Sequence, residues 1–204
     1  QKQTGVDHVT IGGSLSSNVH GRGLSLPPLI NDIESFTLVD ANANLVTCSR
    51  TENSELFSLV IGGYGLFGII GHATLRLTTR GKVKRVVEII KVRELMAKIE
   101  KCVEEGALFG DCQYSIHVHE DIFPHPGIFS YYLPVPDTTP LPTNQEQLSE
   151  NDWTQLYKLA RTDKQKAFDS YSQYYVKTSG QTYWSDSHQL SNVFEGYQNG
   201  VDVA

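Results

Sequence analysis

Cysteine is scarce in this sequence, and its spacing excludes two common classes of small protein. The 204 residues include three cysteines, Cys48, Cys102 and Cys112, an odd number without any Cys-x-x-Cys pair. Such a pattern argues against a disulfide framework and against a zinc site. Free thiols are typical of a reducing compartment, and we therefore expect a cytoplasmic protein without a bound metal.

Long apolar runs and clustered positive charge are missing as well. A membrane-spanning helix needs about 18 or more consecutive apolar residues, and no such stretch occurs. The formal net charge is -6, and the basic residues are scattered along the chain. A protein that binds the phosphate backbone of nucleic acid carries a basic patch or stripe. We therefore expect neither a nucleic-acid partner nor a membrane span.

Methionine is nearly absent too. The only one is Met96, the sequence begins with Gln1 in a polar stretch, and residues 199–204 end it without a regular element. We interpret the chain as a fragment that is open at both ends. Its length allows one large domain or two small ones, each with a core.

The first third of the chain, opened by residues 5–13, is rich in glycine and in short segments of β type. Apolar periodicity and turn signals there predict a hairpin, with strands over 35–40 and 45–48 joined by a turn over 41–44. A helix carrying Leu56, Leu59 and Val60 is expected next, followed by a strand over 69–77. Ser49-Arg50-Thr51-Glu52 has the sequence of a capping box, which would start the helix. Thr79-Arg80-Gly81 marks the predicted domain boundary.

The rest of the chain predicts an α+β fold with an antiparallel sheet. The first expected elements are a strand over 83–90 and a helix with Leu95, Ile99, Cys102 and Val103 on one face. Strands over 112–119 and 128–133 follow. After a proline-rich loop over 134–142, we expect a helix carrying Trp153, Leu156, Tyr157 and Ala160. The order strand, helix, strand, strand is typical of an α+β sandwich. The tail, rich in Tyr, Ser and Gln, predicts no further element.

Two glycine clusters carry the functional signal. The first, residues 10–23, combines four glycines with small hydroxyl residues and almost no bulky side chains. Glycine lets a backbone approach a ligand closely, and it also serves turns that need unusual φ angles. Both interpretations stay open for this cluster.

The second cluster, residues 62–68, contains the dinucleotide-binding pattern Gly-x-Gly-x-x-Gly between Gly63 and Gly68, with Glu88 downstream. That pattern should follow a strand and open a helix, because the helix N-terminus holds the pyrophosphate. Here a helix is predicted before the glycines and a strand after them. The inverted order argues against a Rossmann-type nicotinamide site.

Several blocks of the first third together resemble a known family. These blocks are residues 9–21, 32–40, 55–57 and 62–70. In order and spacing they resemble FAD-linked oxidases of the vanillyl alcohol oxidase superfamily. The similarity is greatest to the branch with decaprenylphosphoryl-ribose oxidase, sugar-alcohol and aldonolactone oxidases and sterol-reductase-like proteins. Residues 178–186 resemble the substrate domain of bacterial members.

The resemblance implies FAD as cofactor and names residues that contact it. The loop meeting the FAD phosphates and ribitol is matched by Gly5, Thr10, Gly12 and Gly13. The segment beside the isoalloxazine ring is matched by Ser16, Ser17, Val19, His20 and Gly21, and the adenosine end by Ile70. The residue types agree, since small residues permit close approach and apolar ones can cover flat rings. We expect the two clusters to fold against each other as one wall of a flavin cradle.

The resemblance also implies a domain order and an activity. Residues 1–80 match the C-terminal half of a PCMH-type FAD-binding domain, with a mixed or antiparallel sheet and helices, and residues 81–204 match part of a substrate (cap) domain. The implied function is FAD-dependent oxidation of a CH–OH group on a sugar, sugar alcohol or lactone-like substrate, with oxygen or another electron acceptor. The general base is expected outside this sequence, and the fragment alone is expected to be inactive.

Histidines offer further candidate sites, each with a structural alternative. His20 is a weak candidate for a catalytic residue, or else a histidine hydrogen-bonded to loop backbone. His117 and His119 share one face of a predicted strand, as a metal pair would. A third ligand beyond His125 is not evident, so we expect solvated histidines and no metal.

The segment 183–188 is the last candidate. Tyr183, Trp184 and His188 could line the substrate pocket or, slightly favoured, form a packed aromatic cluster. Residues 185–188 contain the residue types of a hydrolase triad, but neighbours on one segment rarely converge and no Gly-x-Ser-x-Gly elbow occurs. Arg22 and Arg80 are expected to be surface charges.

Two alternatives to the oxidase function remain within the flavin fold. The sterol-reductase-like relatives suggest an FAD-dependent reductase of a carbon–carbon double bond, which would require a nicotinamide. A flavin-fold protein without catalysis, acting as a binding module, is the second. The substrate and the electron acceptor would separate these functions.

Overall fold

The computed structural model of the protein describes residues 9–115 and 125–186. It divides into two compact units between Thr79 and Arg80, which we call unit 1 and unit 2. Both units combine helices with antiparallel sheets, so the predicted α+β class is confirmed. The assignment of residues 1–80 to a cofactor domain and of residues 81–204 to a substrate domain stays a prediction.

Unit 1 is a three-stranded antiparallel sheet with two helices. Its elements are α1 (Ile11–Ser16), a 3₁₀ turn (Leu29–Asp32), β1 (Ile33–Val39), β2 (Leu45–Ser49), α2 (Ser54–Val60) and β3 (Ile69–Leu75). The strand order is β2-β1-β3, so the predicted hairpin and the third strand are confirmed. A core of buried apolar residues fills unit 1, and the Phe36 and Phe57 rings stack in it with centroids 5.4 Å apart.

The hairpin between β1 and β2 is held by one aspartate. The Asp40 carboxylate accepts hydrogen bonds from the backbone N–H groups of Asn42 and Asn44, each at 2.8 Å. The Asn44 side chain adds a third at 3.0 Å. These donors stabilise the charged form and lower the pKa of Asp40. An aspartate that satisfies the turn backbone explains why the predicted turn over 41–44 forms.

The predicted capping box of α2 is wrong. The helix begins at Ser54, and its N-cap is Asn53 in the left-handed region with φ of 47°. The Ser49 hydroxyl instead accepts from the N–H groups of Thr51 and Glu52, at 3.2 and 2.9 Å. Serine and threonine make such turns as readily as helix caps, so the four-residue pattern closes a turn before the helix.

Unit 2 is a four-stranded antiparallel sheet with three helices. Its elements are β4 (Lys82–Lys91), a 3₁₀ turn (Val92–Glu94), α3 (Leu95–Glu104), β5 (Phe109–Tyr114), β6 (Pro126–Val135), α4 (Glu150–Thr162), α5 (Lys164–Lys177) and β7 (Thr182–Trp184). The strand order is β5-β6-β4-β7. The predicted order of strand, helix, strand, strand is confirmed for β4, α3, β5 and β6.

Two elements of unit 2 were not predicted. Helix α5 packs Tyr175, with Phe168, Tyr171 and Tyr174, against buried residues of β4 and β6. Its N-cap is Asp163, whose carboxylate accepts from the N–H of Lys166 at 3.0 Å. Strand β7 then pairs with the start of β4. None of the helices in the described parts of the chain is long and apolar enough to cross a membrane.

Candidate functional site

The first glycine cluster begins as a short helix, in a region whose sequence indicated short segments of β type. Thr10 is the N-cap of α1, and its hydroxyl accepts from the Gly13 N–H at 3.0 Å. Threonine is a favoured N-cap because its side chain replaces the missing helical acceptor. Gly12 and Gly13 therefore adopt helical backbone, and Gly5 lies outside the described residues.

The end of α1 is a Schellman motif with asparagine in place of the usual glycine. Asn18 has φ of 44° and donates its N–H to Leu15 O at 3.0 Å, while Val19 donates to Ser14 O at 3.0 Å. This pair of bonds satisfies carbonyls that a helix end leaves without partners. The Ser17 hydroxyl also donates to Gly13 O at 2.8 Å, so its hydrogen is used inside the helix.

The two glycine clusters lie against each other, as expected from the sequence. Gly62 donates its N–H to Leu15 O, and Tyr64 donates to Ser16 O, both at 2.9 Å. A Cβ built on Gly12 would lie 3.9 Å from the carbonyl oxygen of Ile70 in β3. Helix α1 is therefore bound to the second cluster at its C-terminal end and lies beside β3.

The glycines of the second cluster are required by the packing of unit 1 itself. A Cβ on Gly63 would come within 2.3 Å of Leu59 O, and a Cβ on Gly68 within 2.3 Å of Val39 O. No side chain fits at such distances. Helix α2 precedes these glycines and β3 follows them, which confirms the order that argued against a Rossmann site.

Gly12 differs from Gly63 and Gly68, because no contact within the described residues requires a glycine at this position. It lies inside α1, outside the positive-φ region, and a Cβ there would meet only Ile70 O, at ordinary contact distance. Glycine in a helix costs roughly 0.5–1 kcal/mol relative to alanine. Close approach by a ligand or by another segment is one physical reason to accept this cost.

Three apolar side chains in this part of unit 1 are exposed, two of them near Gly12 in the chain and one in β3. Val9, Ile11 and Ile69 are exposed to 51, 57 and 73%. Strand β3 also shifts register between its pairs Thr37–His72 and Leu38–Ile70, which leaves Gly71 as the extra residue of a β-bulge. Bulges occur often next to binding sites. Exposed apolar side chains of this kind can cover a flat, partly apolar ligand.

The other predicted cofactor residues differ in burial and in the contacts that they make. Ser16, Val19 and Gly21 are partly buried. Ile70 is partly buried and packs against the core of unit 1. His20 is exposed, and its Nδ1 lies 3.3 Å from Gly21 O. That contact is the structural alternative named for His20, whose catalytic role stays a prediction.

The predicted substrate residues of unit 2 lie in different environments. Tyr183 is buried and packs with Val83, Phe109 and Tyr132, the last with ring centroids 6.4 Å apart. It is a core residue and cannot line an open pocket in this conformation. The Trp184 ring lies under the Arg80 guanidinium at 4.5 Å. His188 lies outside the described residues.

Arg80 is a surface charge, as predicted. Its Nε donates to the Asp186 carboxylate at 2.8 Å, and its side chain is about half exposed. Ser185 is buried, with its hydroxyl 3.4 Å from the N–H of Gly81. Asp186 and Ser185 therefore have structural partners, and Ser187 lies outside the described part of the chain.

The sequence analysis missed a buried arginine. Arg85 is 7% exposed, and its Nε and Nη1 donate to the Tyr132 hydroxyl at 2.8 Å and the Thr178 hydroxyl at 2.9 Å. Its guanidinium also lies over the rings of Tyr132, Tyr175 and Tyr183, at 5.2, 5.3 and 4.7 Å. Strand alternation could have found it, because Val83 and Val87 flank Arg85 on the same inward face.

Neither thiol nor metal chemistry is supported. Burial raises the pKa of all three cysteine thiols, that of Cys112 to about 11, so they stay protonated at neutral pH. Among the residues that the structure describes, no group of three His, Cys, Asp or Glu side chains could hold a metal. Buried His125 has its Nδ1 2.8 Å from Ser115 O, and His117 and His119 lie outside the described residues.

An open groove of about 360 Å³ lies between α4 and α5 in unit 2. Its walls include Leu156, Leu159, Gln173, Tyr174 and Lys177. None of the residues predicted to bind cofactor or substrate lines it. The groove thus gives no support to the predicted substrate residues Tyr183 and Trp184.

Comparison with known proteins leads to redox enzymes. No family model matches the chain. Cytokinin dehydrogenase 1 of Arabidopsis thaliana is 42% identical over 71 residues, which is 34% of this chain and 12% of that protein. Cytokinin dehydrogenase 2 of Oryza sativa subsp. japonica is 26% identical over 127 residues, 56% of this chain and 22% of that protein. The chain thus spans a small part of these relatives.

A solved structure supports the fold. The VAO-type flavoprotein MtVAO615 from Myceliophthora thermophila C1 superposes with a TM-score of 0.54 and 18% sequence identity, over 67% of this chain and 26% of the flavoprotein. The narrower branch of sugar-type oxidases gains no support from these proteins. The chain has the α+β fold of part of a VAO-type flavoprotein.

Proposed function

We propose that this chain is part of an FAD-dependent oxidoreductase and that unit 1 forms one wall of its flavin site. The observation that supports this most is Gly12, a helical glycine beside the bulge of β3, where an added Cβ would meet only Ile70 O among the described residues. The similarity to cytokinin dehydrogenases and to a flavoprotein fold points to the same class of protein. When bound, FAD would accept a hydride from the substrate.

The residues of unit 1 fit such a cofactor in size and polarity. Gly12 leaves room for close approach, and the exposed side chains of Val9, Ile11 and Ile69 offer apolar surface to a flat ring. The predicted contacts, which we keep as a proposal for this wall, are Thr10, Gly12, Gly13, Ser16, Ser17, Val19, His20, Gly21 and Ile70. The general base for the substrate proton is expected in the rest of the protein.

Two substrate classes follow from different arguments. The names of the relatives make a cytokinin the first candidate. The resemblance stated from the sequence makes a sugar, sugar alcohol or lactone-like compound with a CH–OH group the second. Oxygen or another acceptor would take the electrons, and the cytoplasm stays the expected location.

The test uses the full-length protein and its visible flavin absorption. Under anaerobic conditions, substrate oxidation bleaches the oxidised flavin, since the hydride goes to the cofactor and no acceptor removes it. We expect bleaching by a cytokinin, and bleaching by sugar alcohols alone would select the second class. Bleaching by a reduced nicotinamide cofactor (NADH or NADPH), with none by the other compounds, would indicate the reductase. If no compound of these panels reduces the flavin, the non-catalytic binding module is the function that remains.

A further inference from the structure

The side chain of Asn18 joins the two ends of the loop over 19–29. The loop leaves α1 directly after Asn18 and enters the 3₁₀ turn that begins at Leu29. The N–H of Ile30 donates to the Asn18 Oδ1 at 3.2 Å, and this bond is partly buried. Asn18 thus closes a loop that contains Val19, His20 and Gly21.

The backbone of Asn18 is as constrained as its side chain. Its φ of 44° is left-handed, a region that asparagine tolerates better than most residues other than glycine. A Cβ built on Gly62 would lie 3.4 Å from the Asn18 Cβ. One residue therefore ends α1, holds Ile30 and contacts the second glycine cluster.

The closed loop is compact. A Cβ built on Gly23 would come within 2.9 Å of three side-chain atoms of Leu26, so the loop packs on itself across this pair. Surface loops of this length whose ends meet and whose own residues pack inside them are Ω-loops, which are often functional.

We propose that Asn18 is a positioning residue for the flavin site. It fixes loop 19–29 through the bond to Ile30 N, and so sets where Val19, His20 and Gly21 stand relative to α1 and Gly62. This role rests on the proposed function, because those three residues belong to the proposed cofactor wall. Asn18 itself need not touch the flavin.

Three variants in the full-length protein separate the two properties of Asn18. Asn18→Asp keeps a side-chain acceptor and tolerates the left-handed backbone. Asn18→Gly keeps the backbone freedom and loses the bond to Ile30. Asn53→Gly is the matched control, because Asn53 is also left-handed, with φ of 47°, and its side chain donates to Thr47 O at 2.7 Å, away from the loop.

The measurements are the dissociation constant for FAD and hydrogen exchange over residues 19–30. Loss of one hydrogen bond should weaken FAD binding about fivefold in Asn18→Gly and speed exchange in the loop. Asn18→Asp should behave as wild type in both. Asn53→Gly should bind FAD as wild type, even where its thermal stability falls.

The outcomes distinguish this proposal from the proposed function. A wild-type protein that binds no FAD overturns both. A wild-type protein that binds FAD, with equal affinities in Asn18→Gly and Asn53→Gly, overturns the role of Asn18 alone. A folded Asn18→Asp protein with wild-type loop exchange and weakened FAD binding overturns it as well, whether or not Asn18→Gly folds.

Discussion

The carbonyl oxygen of Leu15 accepts the N–H of Gly62 at 2.9 Å, and this bond joins two glycine clusters that lie far apart in the sequence. The same oxygen accepts the N–H of Asn18 at 3.0 Å. Helix α1 has only six residues, too few to be stable by itself. The second cluster donates to its last two carbonyls, those of Leu15 and Ser16, so each cluster stabilises the conformation of the other.

Gly12→Ala tests whether a ligand explains this glycine. Alanine should raise the free energy of unfolding by roughly 0.5–1 kcal/mol, because it favours helix and its Cβ meets no close neighbour. The affinity for FAD should fall, because the methyl group occupies the space that the cofactor needs. Denaturation and FAD titration of the full-length protein measure the two effects.

Gly81→Ala is the control for that change. Gly81 also has no positive φ, and a Cβ there meets nothing within 4 Å, yet it lies outside the proposed wall. Its FAD affinity should equal that of wild type. If Gly12→Ala binds FAD equally well, Gly12 does not mark the cofactor site.

Gly63→Ala should destabilise unit 1 strongly. The added Cβ would lie 2.3 Å from Leu59 O, so the backbone must move, at a cost of typically 1–3 kcal/mol, about the cost of overpacking a core. Gly65→Ala has only the strain of a φ of 79°, with open space around it, and should lose about 1 kcal/mol. Chemical denaturation compares the pair, and equal losses would show that the Gly63 contact is not rigid.

Arg85→Met should destabilise unit 2. The change leaves the hydroxyls of Tyr132 and Thr178 without their guanidinium donor, and hydrogen bonds to charged groups contribute about 1.5–3 kcal/mol each. Arg80→Met, which removes a half-exposed ion pair, should lose no more than about 1 kcal/mol. A denaturation experiment in which both variants lose the same stability would contradict the buried role of Arg85.

The stability of unit 2 should fall at high pH. Burial raises the pKa of the Tyr175 and Tyr183 phenols to about 12, although nearby Arg85 acts in the opposite direction. Unfolded tyrosine ionises near pH 10, so between about pH 10 and about pH 12 the unfolded chain releases protons that the folded chain retains. Stability is therefore unaffected below this window and falls as the pH rises through it.

Urea denaturation at about pH 9 and about pH 11 measures that fall. In the double variant Tyr175→Phe and Tyr183→Phe the loss between the two pH values should be smaller. An unchanged loss in the double variant would assign the effect to other groups.

Alternation and turn chemistry made the strands predictable. In β1 the buried residues Phe36 and Leu38 alternate with partly exposed ones, and Asp40 closes the turn with bonds local to the sequence. Local signals of this kind need no knowledge of the rest of the fold. The superfamily resemblance is confirmed at the level of the fold.

Helix α1 could not be found from local signals. Its glycines and serines are poor helix formers, and two of its carbonyls accept from Gly62 and Tyr64, which the sequence does not place nearby. Strand β7 was missed for a similar reason, since three residues form it by pairing with the distant β4. For Tyr183 the sequence left a pocket and the slightly favoured aromatic cluster both open, because an aromatic residue serves a site or a core equally well until its neighbours are known; the structure shows the cluster.

The visible spectrum of the full-length protein, recorded before and after acid precipitation, tests the proposed cofactor most directly. We expect a yellow protein whose colour, released to the supernatant or held in the pellet, also shows whether the flavin is dissociable or covalent. A correctly folded preparation that is colourless, and that takes up no FAD when it is added, would contradict the assignment.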